Sequence, residues 1–246
     1  MSMPGTTLIV AHRGVVAEGA HENTLAAFET AIRLGSDLIE CDLRRTLDGQ
    51  YVIHHDAAVG TKVISNHPWP AIQGEGRVLG YEIPTLGDLL GLTSGRIGLD
   101  LELKESGYER DVITRVLQRA PADALVITSF HPESIKVITA DFPNLRCGLL
   151  LSNMPPDCRE RQRGNGASRL FAKARDELKA HFLAPHWRLL DQQFLQKAVE
   201  TGLPLWVWTV DDRNILEMCF GHPAIAAVIT DHVELALSLR YPRPPE

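Results

Sequence analysis

Short apolar runs of aliphatic and β-branched residues alternate along the chain with stretches whose apolar positions recur every three or four residues. Residues 7–11 (TLIVA) are too short for a stable helix and read as a strand. Leu25, Phe28, Ala31, Ile32 and Leu34 then share one helical face. Asn23 or Thr24 stands where a cap is needed, and Gly35 stands where the helix can end. Residues 37–43 and 51–54 predict two more strands, separated by a turn at Asp48-Gly49. Further strands are predicted at 97–103, 125–129, 145–150, 181–184, 205–210 and 227–229. Helical spacing fills the gaps at 108–119, 132–140, 167–179, 191–201 and 214–220. Between 57 and 80, Gly, Pro, Asn and Trp break the pattern and predict a long loop, which leads into a short helix at 86–92.

Repeated strand and helix of this length predict a parallel sheet covered by helices. Polar residues arrive at strand ends spread over the whole chain, and no G-x-G-x-x-G or Walker-type loop occurs. That distribution favours an α/β fold of the TIM (β/α)8 barrel type over an open sheet. The strand candidates slightly exceed eight, so one of them, near the Asp48-Gly49 turn or at the end, is expected to be peripheral. At 246 residues the chain fits one barrel domain spanning 1–246, with a loop-rich insertion near 57–85.

Four strand-like runs end in ionisable residues: His12-Arg13-Gly14, Glu40 with Asp42, His54-His55-Asp56, and Glu102-Leu103-Lys104. Side chains two apart on a strand share a face, so Glu40 and Asp42 point together, as do Asp100, Glu102 and Lys104. Charges on one side of an apolar strand are costly unless they are paired or bound to metal. Glu40, Asp42 and Glu102 offer hard oxygen donors, which suit Mg²⁺ or Ca²⁺ better than zinc. A buried network of Glu40 and Glu102 with Arg13 and Lys104 is the competing structural reading. His12 and His55 supply the two proton carriers that ester hydrolysis needs, and arginine offers forked donors to phosphate oxygens. Periodicity alone leaves His54 and His55 as local competitors. Trp208 can wall a pocket at a strand end, while Asp231 either faces the site or caps a turn. Lys62 in the predicted loop is an ordinary surface lysine unless the loop bends inward.

Charge and cysteine usage narrow the classes. A formal net charge of -6 with no offsetting basic tract excludes a general nucleic-acid binder. The densest basic run, 159–175, is followed by Asp176 and Glu177 and reads as a solvated helix or loop. Cys41, Cys147, Cys158 and Cys219 show neither C-x-x-C nor zinc-ligand spacing, and buried free thiols are expected. His12 and Arg13 interrupt the first apolar stretch, which argues against a signal peptide. No apolar run approaches the roughly 20 residues of a membrane span. No stable membrane insertion and a reducing cytoplasm are therefore the expectations. Helix faces that cover a barrel read the same as a homo-oligomer interface, so oligomeric state stays open.

Taken in order, these motifs resemble the glycerophosphodiester phosphodiesterase family, especially its short bacterial cytoplasmic members. The matching text is Ala11-His12-Arg13-Gly14, then Glu22-Asn23-Thr24-Leu25-Ala26-Ala27-Phe28, then Ile39-Glu40-Cys41-Asp42. It continues through Thr46, Asp48-Gly49, Val52, His55-Asp56, Ile83-Pro84-Thr85-Leu86 and Leu101-Glu102-Leu103-Lys104. Ser129-Phe130, Trp208-Thr209-Val210 and Thr230-Asp231 complete it, so it spans about Ile9 to Val233. The resemblance implies a phospholipase-C-like (PLC-like) phosphodiesterase barrel with one divalent cation, Mg²⁺ or Ca²⁺, held by Glu40, Asp42 and Glu102. It implies acid–base roles for His12 and His55, and substrate binding by Arg13, Lys104 and Trp208. Glu22, Asn23 and Asp56 are implied as supporting residues. The implied reaction converts a small-molecule glycerophosphodiester to sn-glycerol 3-phosphate and an alcohol. In that path the neighbouring glycerol hydroxyl attacks first, and water then opens the cyclic phosphate.

Two departures bear on the substrate's headgroup. The family usually has proline before Glu-Asn-Thr, where this chain has His21. It commonly has arginine before the threonine matched by Thr61, where this chain has Gly60. The alternatives are a hydrolase or lyase acting on another phosphodiester such as a lysophospholipid, and a catalytically weak glycerophosphodiester-binding protein. Sphingomyelinase D-like and phosphatidylinositol-cleaving barrels fit less well, for want of disulfide-supporting loops or an aromatic membrane rim.

Overall fold

The computed structural model describes residues 6–16, 20–152 and 166–241. Its strands, in chain order, are β1 (Leu8–Ala11), β2 (Leu38–Arg45), β3 (Tyr51–Ile53), β4 (Ala58–Val59), β5 (Lys62–Val63) and β6 (Gly98–Leu103). There follow β7 (Leu125–Ser129), β8 (Arg146–Leu151), β9 (Phe182–Pro185), β10 (Leu205–Val207) and β11 (Ile225–Thr230). Eight of these run parallel in the order β1-β2-β6-β7-β8-β9-β10-β11, and β11 pairs back to β1. The closure is set by register: Ala11 stands beside Thr230 on one side and Ile39 on the other. The protein is thus the closed α/β barrel that the alternating pattern predicts.

Side-chain alternation divides the apolar residues into two layers. Val10, Val126, Leu150, Phe182, Trp206 and Ile229 fill the barrel interior. Gly148 makes room there, since a Cβ on it would lie 2.1 Å from the Phe182 ring. Ile39, Cys41, Leu43, Leu99, Leu101 and Leu103 point outward to the covering helices. In β2 and β6 the inward positions are instead Glu40, Asp42, Asp100 and Glu102, which are all buried. These charges displace apolar packing at one end of the barrel, and that end carries the site.

The supernumerary strand is β3, which pairs antiparallel with the end of β2. It starts level with Arg45 and descends, so that His54 N donates to Asp42 O at 2.9 Å. His55 therefore comes from a strand folded back into the barrel mouth, and not from the end of a barrel strand.

The stretch predicted as a long loop is ordered into regular elements. It contains the β4–β5 hairpin, a 3₁₀ turn at Ile64–Asn66 and an α-helix, Trp69–Val78. Pro68 and Pro70 occupy the helix start, where a missing N–H costs nothing. Ile72 packs with Val52, Val59, Ile64 and Ile83 in a small separate core. Gly76 lies where a Cβ would come within 3.0 Å of Ile83, so close packing selects the glycine that obscured the helix. The helix predicted at 167–179 begins as Gly166–Ala172 and widens into π-type turns over Lys173–Glu177. Cys158 and the first part of the basic run lie outside the described residues, while Cys41, Cys147 and Cys219 are buried free thiols. Among the described residues no helix is long and apolar enough to cross a membrane.

Candidate active site

The turn after β1 is built from unusual backbone. Arg13 and Asn23 adopt left-handed conformations with φ of 54° and 55°, and Gly14 follows at 85°. Such conformations cost about 1–3 kcal/mol each for non-glycine residues and persist only where surrounding contacts hold them. Here Arg13 N donates to Glu40 Oε2 at 3.0 Å, and Asn23 N donates to Arg13 O at 2.9 Å. Gly14 has no alternative, because a Cβ would lie 2.7 Å from the Ala27 backbone. Thr24 caps the helix Leu25–Leu34 and Gly35 ends it, which anchors the far side of the turn.

Asn23 then reaches the carboxylates, donating from Nδ2 to Asp42 Oδ2 at 2.7 Å. The Arg13 guanidinium bonds Glu22 at 2.8 Å and lies 3.3 Å from Asp42 Oδ2. Lys104 Nζ lies 3.1 Å from Asp42 and 2.7 Å from Glu102. Donor oxygens of Glu40, Asp42 and Glu102 all lie within 4.8 Å of one another. Burial works against the ionised Asp42, but Lys104 and Arg13 outweigh it and hold the carboxyl down to about 2. Burial and then the charges of Asp42, Glu102 and Asp100 push Glu40 well above the usual carboxylate range. Burial also raises Glu102, against the pull of Lys104. Glu102 Oε1 is buried without a hydrogen bond of proper geometry, despite its proximity to Lys104. Three hard oxygen donors with frustrated ionisation fit a divalent cation such as Mg²⁺ or Ca²⁺. The competing network reading is met only in part, since Glu40 engages the Arg13 backbone and not its guanidinium.

The two histidines are held in the same way. His12 Nδ1 lies 2.8 Å from Asp231 Oδ1, and His55 Nδ1 lies 2.8 Å from Asp56 Oδ1. Burial pushes the Asp231 carboxyl up, but the His12 bond and neighbouring positive charge hold it below its ordinary value. The His55 bond likewise lowers Asp56. An ionised carboxylate only accepts, so Nδ1 carries the proton in each ring and Nε2 is left for the cavity. Burial, with Lys104 and Arg13 nearby, lowers His55 despite the opposing Asp42.

His12, Arg13, Glu40, His55, Glu102 and Lys104 line one cavity of about 160 Å³ at the barrel mouth. Its other wall is apolar, with Phe130, Leu150, Trp208 and Ile229. Trp208 is fixed by Nε1 donating to Ala184 O at 2.7 Å and by the edge of Phe130, while Trp206 stacks on Phe182 inside the barrel. Glu22, Asn23 and Asp56 stand outside the cavity lining; Glu22 and Asn23 bond Arg13, and Asp56 bonds His55. His54 turns away to Asp56 O and Tyr81. Lys62 pairs with Glu75, so it does not stand in for the cation lost at Gly60. His21, in place of the usual proline, stacks on Tyr81 with ring centroids 4.3 Å apart.

Three further residues border the site without a role assigned to them from the sequence. Asp231, left open there, binds His12. Asp100 sits on the cavity floor with Oδ1 accepting from Thr128 at 2.9 Å, and burial pushes it up to about 7. Arg44 shares the inward face of Glu40 and Asp42, and only that two-residue period could have flagged it.

A closed parallel barrel whose mouth joins a carboxylate triad, two histidines and two cations defines a phosphodiester-cleaving barrel enzyme. The sequence pattern of the glycerophosphoryl diester phosphodiesterase family matches residues 12–73 and 97–235. The chain belongs to that family and is a phosphoric diester hydrolase. A glycerophosphodiester phosphodiesterase of Caldanaerobacter subterraneus subsp. tengcongensis is 27% identical over 252 residues, covering 95% of this chain and 97% of that protein. An Oleispira antarctica phosphodiesterase, solved with its product sn-glycerol-3-phosphate, is 25% identical with a TM-score of 0.76, covering 95% of this chain and 96% of that one. A Thermotoga maritima glycerophosphodiester phosphodiesterase, 23% identical with a TM-score of 0.76 over 95% of this chain and 98% of that one, shares the fold.

Proposed function

We propose that the protein hydrolyses glycerophosphodiesters to sn-glycerol 3-phosphate and an alcohol. The observation that carries this reading is the lining of one cavity by both tethered histidines, both cations and two carboxylates of the triad. The glycerol 3-phosphate bound by the Oleispira antarctica relative supports the choice of product.

Glu40, Asp42 and Glu102 would hold one divalent cation, Mg²⁺ or Ca²⁺, which when bound would supply positive charge to oxygens of the phosphodiester. Arg13 and Lys104 add fixed positive charge at the same wall, and Arg13 can present a fork of donors. Trp208 and Phe130 face the carbon skeleton of the substrate.

His55 is the ring held neutral by burial and nearby cations, which suits it to accept a proton at Nε2. It takes the proton of the glycerol hydroxyl next to the phosphodiester as that oxygen attacks phosphorus. His12, bonded to Asp231 through Nδ1–H, enters this step as the imidazolium with a second proton on Nε2, gives that proton to the departing alkoxide and is left as the neutral Nδ1–H tautomer. Water then opens the cyclic phosphate with the two proton transfers reversed. Asp56 and Asp231 keep each ring in the tautomer that leaves Nε2 available.

The test is release of glycerol 3-phosphate from glycerophosphocholine and glycerophosphoethanolamine with Mg²⁺, Ca²⁺ or EDTA. Cation-dependent release that disappears in folded His12→Ala and Glu102→Ala proteins supports the reading. No release by the folded wild type with either cation overturns it for these substrates.

A further inference from the structure

We infer that Arg44 positions His55 by gripping its backbone carbonyl, and that Glu105 holds Arg44 in place for this task. The inference rests on the proposed role of His55 as proton acceptor.

β3 pairs with β2 through regular ladder bonds, and the last contact on this edge is His54 N to Asp42 O. One residue later the backbone leaves the sheet, and the His55 carbonyl loses its strand partner. Arg44 replaces that partner with two donors from one guanidinium, Nε at 3.0 Å and Nη2 at 2.6 Å from His55 O. The remaining Nη1 donates to Glu105 Oε1. Glu105 Oε2 lies 3.0 Å from the Tyr108 hydroxyl, which is also 3.0 Å from Leu43 O on β2. Burial, followed by the charge of Glu105, raises the Tyr108 hydroxyl, so it stays a neutral partner. The chain of contacts ties the His55 backbone to the strand that bears Glu40 and Asp42.

His55 needs such a restraint because its ring is held by one short hydrogen bond to Asp56, an exposed neighbour in sequence. That bond sets the ring's tautomer but moves with the backbone. The Arg44 fork fixes the backbone against the carboxylate layer, and a displacement of about 1 Å at a proton acceptor can cost roughly a hundredfold in rate. Lysine cannot do the same work, since a single ammonium lacks the planar fork that spans His55 O and Glu105 together. Arg44 is a positioning residue and does not line the cavity.

The experiment compares Arg44→Met, Arg44→Lys and Glu105→Gln with wild type in the cation-loaded full chain. Expected for Arg44→Met is a loss of about 10- to 100-fold in kcat, with KM, cation affinity and melting temperature close to wild type. Arg44→Lys and Glu105→Gln should fall between the two. A second readout needs no substrate: in protein labelled with ¹⁵N-histidine, Arg44→Met should shift or broaden the His55 imidazole signals and leave those of His12 in place. Unchanged His55 signals, a kcat near wild type in Arg44→Met, or a loss that follows weakened cation binding would each overturn the inference. An inactive wild type whose His55 signals still respond to Arg44→Met would sink the proposed reaction and leave the positioning contact standing.

Discussion

His12 Nδ1 lies 2.8 Å from Asp231 Oδ1, although 219 positions separate the two residues in the chain. The contact exists because β11 pairs with β1 and sets Thr230 beside Ala11. Asp231 is itself steadied by its backbone N donating to Asp211 Oδ1 at 2.9 Å. Closing the barrel and orienting the first histidine are therefore one structural event.

Replacing Asp231 should damage catalysis more than folding, because its side chain is half exposed and bonds chiefly to His12. Asp231→Ala is expected to lower kcat about 10- to 100-fold, less than the roughly 10²- to 10⁴-fold contribution of a general acid because His12 itself remains. KM and the unfolding midpoint should stay near wild type. Steady-state kinetics beside a thermal melt checks both halves.

The depressed His55 pKa gives a pH prediction. A proton acceptor works in its neutral form, and burial with Lys104 and Arg13 makes His55 harder to protonate. The neutral form then persists to lower pH than in free histidine, near 6.5. The acidic limb of kcat/KM, which reports the free enzyme, should therefore lie below that value. A limb above it would contradict the assignment of His55 as acceptor.

Cation binding should release protons. Burial and neighbouring carboxylates raise Glu40, so the cation-free site retains a proton where an ordinary glutamate is ionised. A cation requires the ionised form, so affinity should weaken as pH falls, by about tenfold per unit where one proton is displaced. Calorimetry in buffers of different ionisation enthalpy reads this directly. Glu102→Gln should weaken binding and remove the rise in melting temperature that added cation produces in wild type.

Gly14→Ala should be destabilising despite the small change. It places a Cβ on backbone at φ 85° and 2.7 Å from the Ala27 carbonyl carbon. Left-handed strain and overpacking together cost about 2–5 kcal/mol. Urea unfolding should show the loss, and cation affinity should fall as the adjoining turn shifts Arg13 and Glu40.

Period-two alternation was enough to put Glu40 and Asp42 on one face and Asp100, Glu102 and Lys104 on another, because inward and outward layers are chemically distinct in these strands. The alternation of strand and helix likewise carried the barrel. The helix Trp69–Val78 was hidden because its glycines and prolines answer to packing and helix-start rules that composition does not reveal. The peripheral place of the strand before His55 is legible near the Asp48-Gly49 turn, but its antiparallel return into the barrel mouth depends on pairing with β2, which periodicity does not contain. Asp231 and Arg44 depend on closure and on side-chain reach across a strand pair, and local periodicity contains neither.

The division of labour between the histidines is tested most directly by comparing two leaving groups. Glycerophosphocholine releases an alkoxide that needs a proton, whereas the p-nitrophenyl ester of glycerol 3-phosphate releases a stable phenolate. With cation present, His12→Ala should lose most of its kcat/KM on the choline ester and recover much of it on the aryl ester. His55→Ala should remain impaired on both, because the attacking hydroxyl is the same. Equal losses for the two variants on both esters, or recovery of His55→Ala alone, would contradict the account.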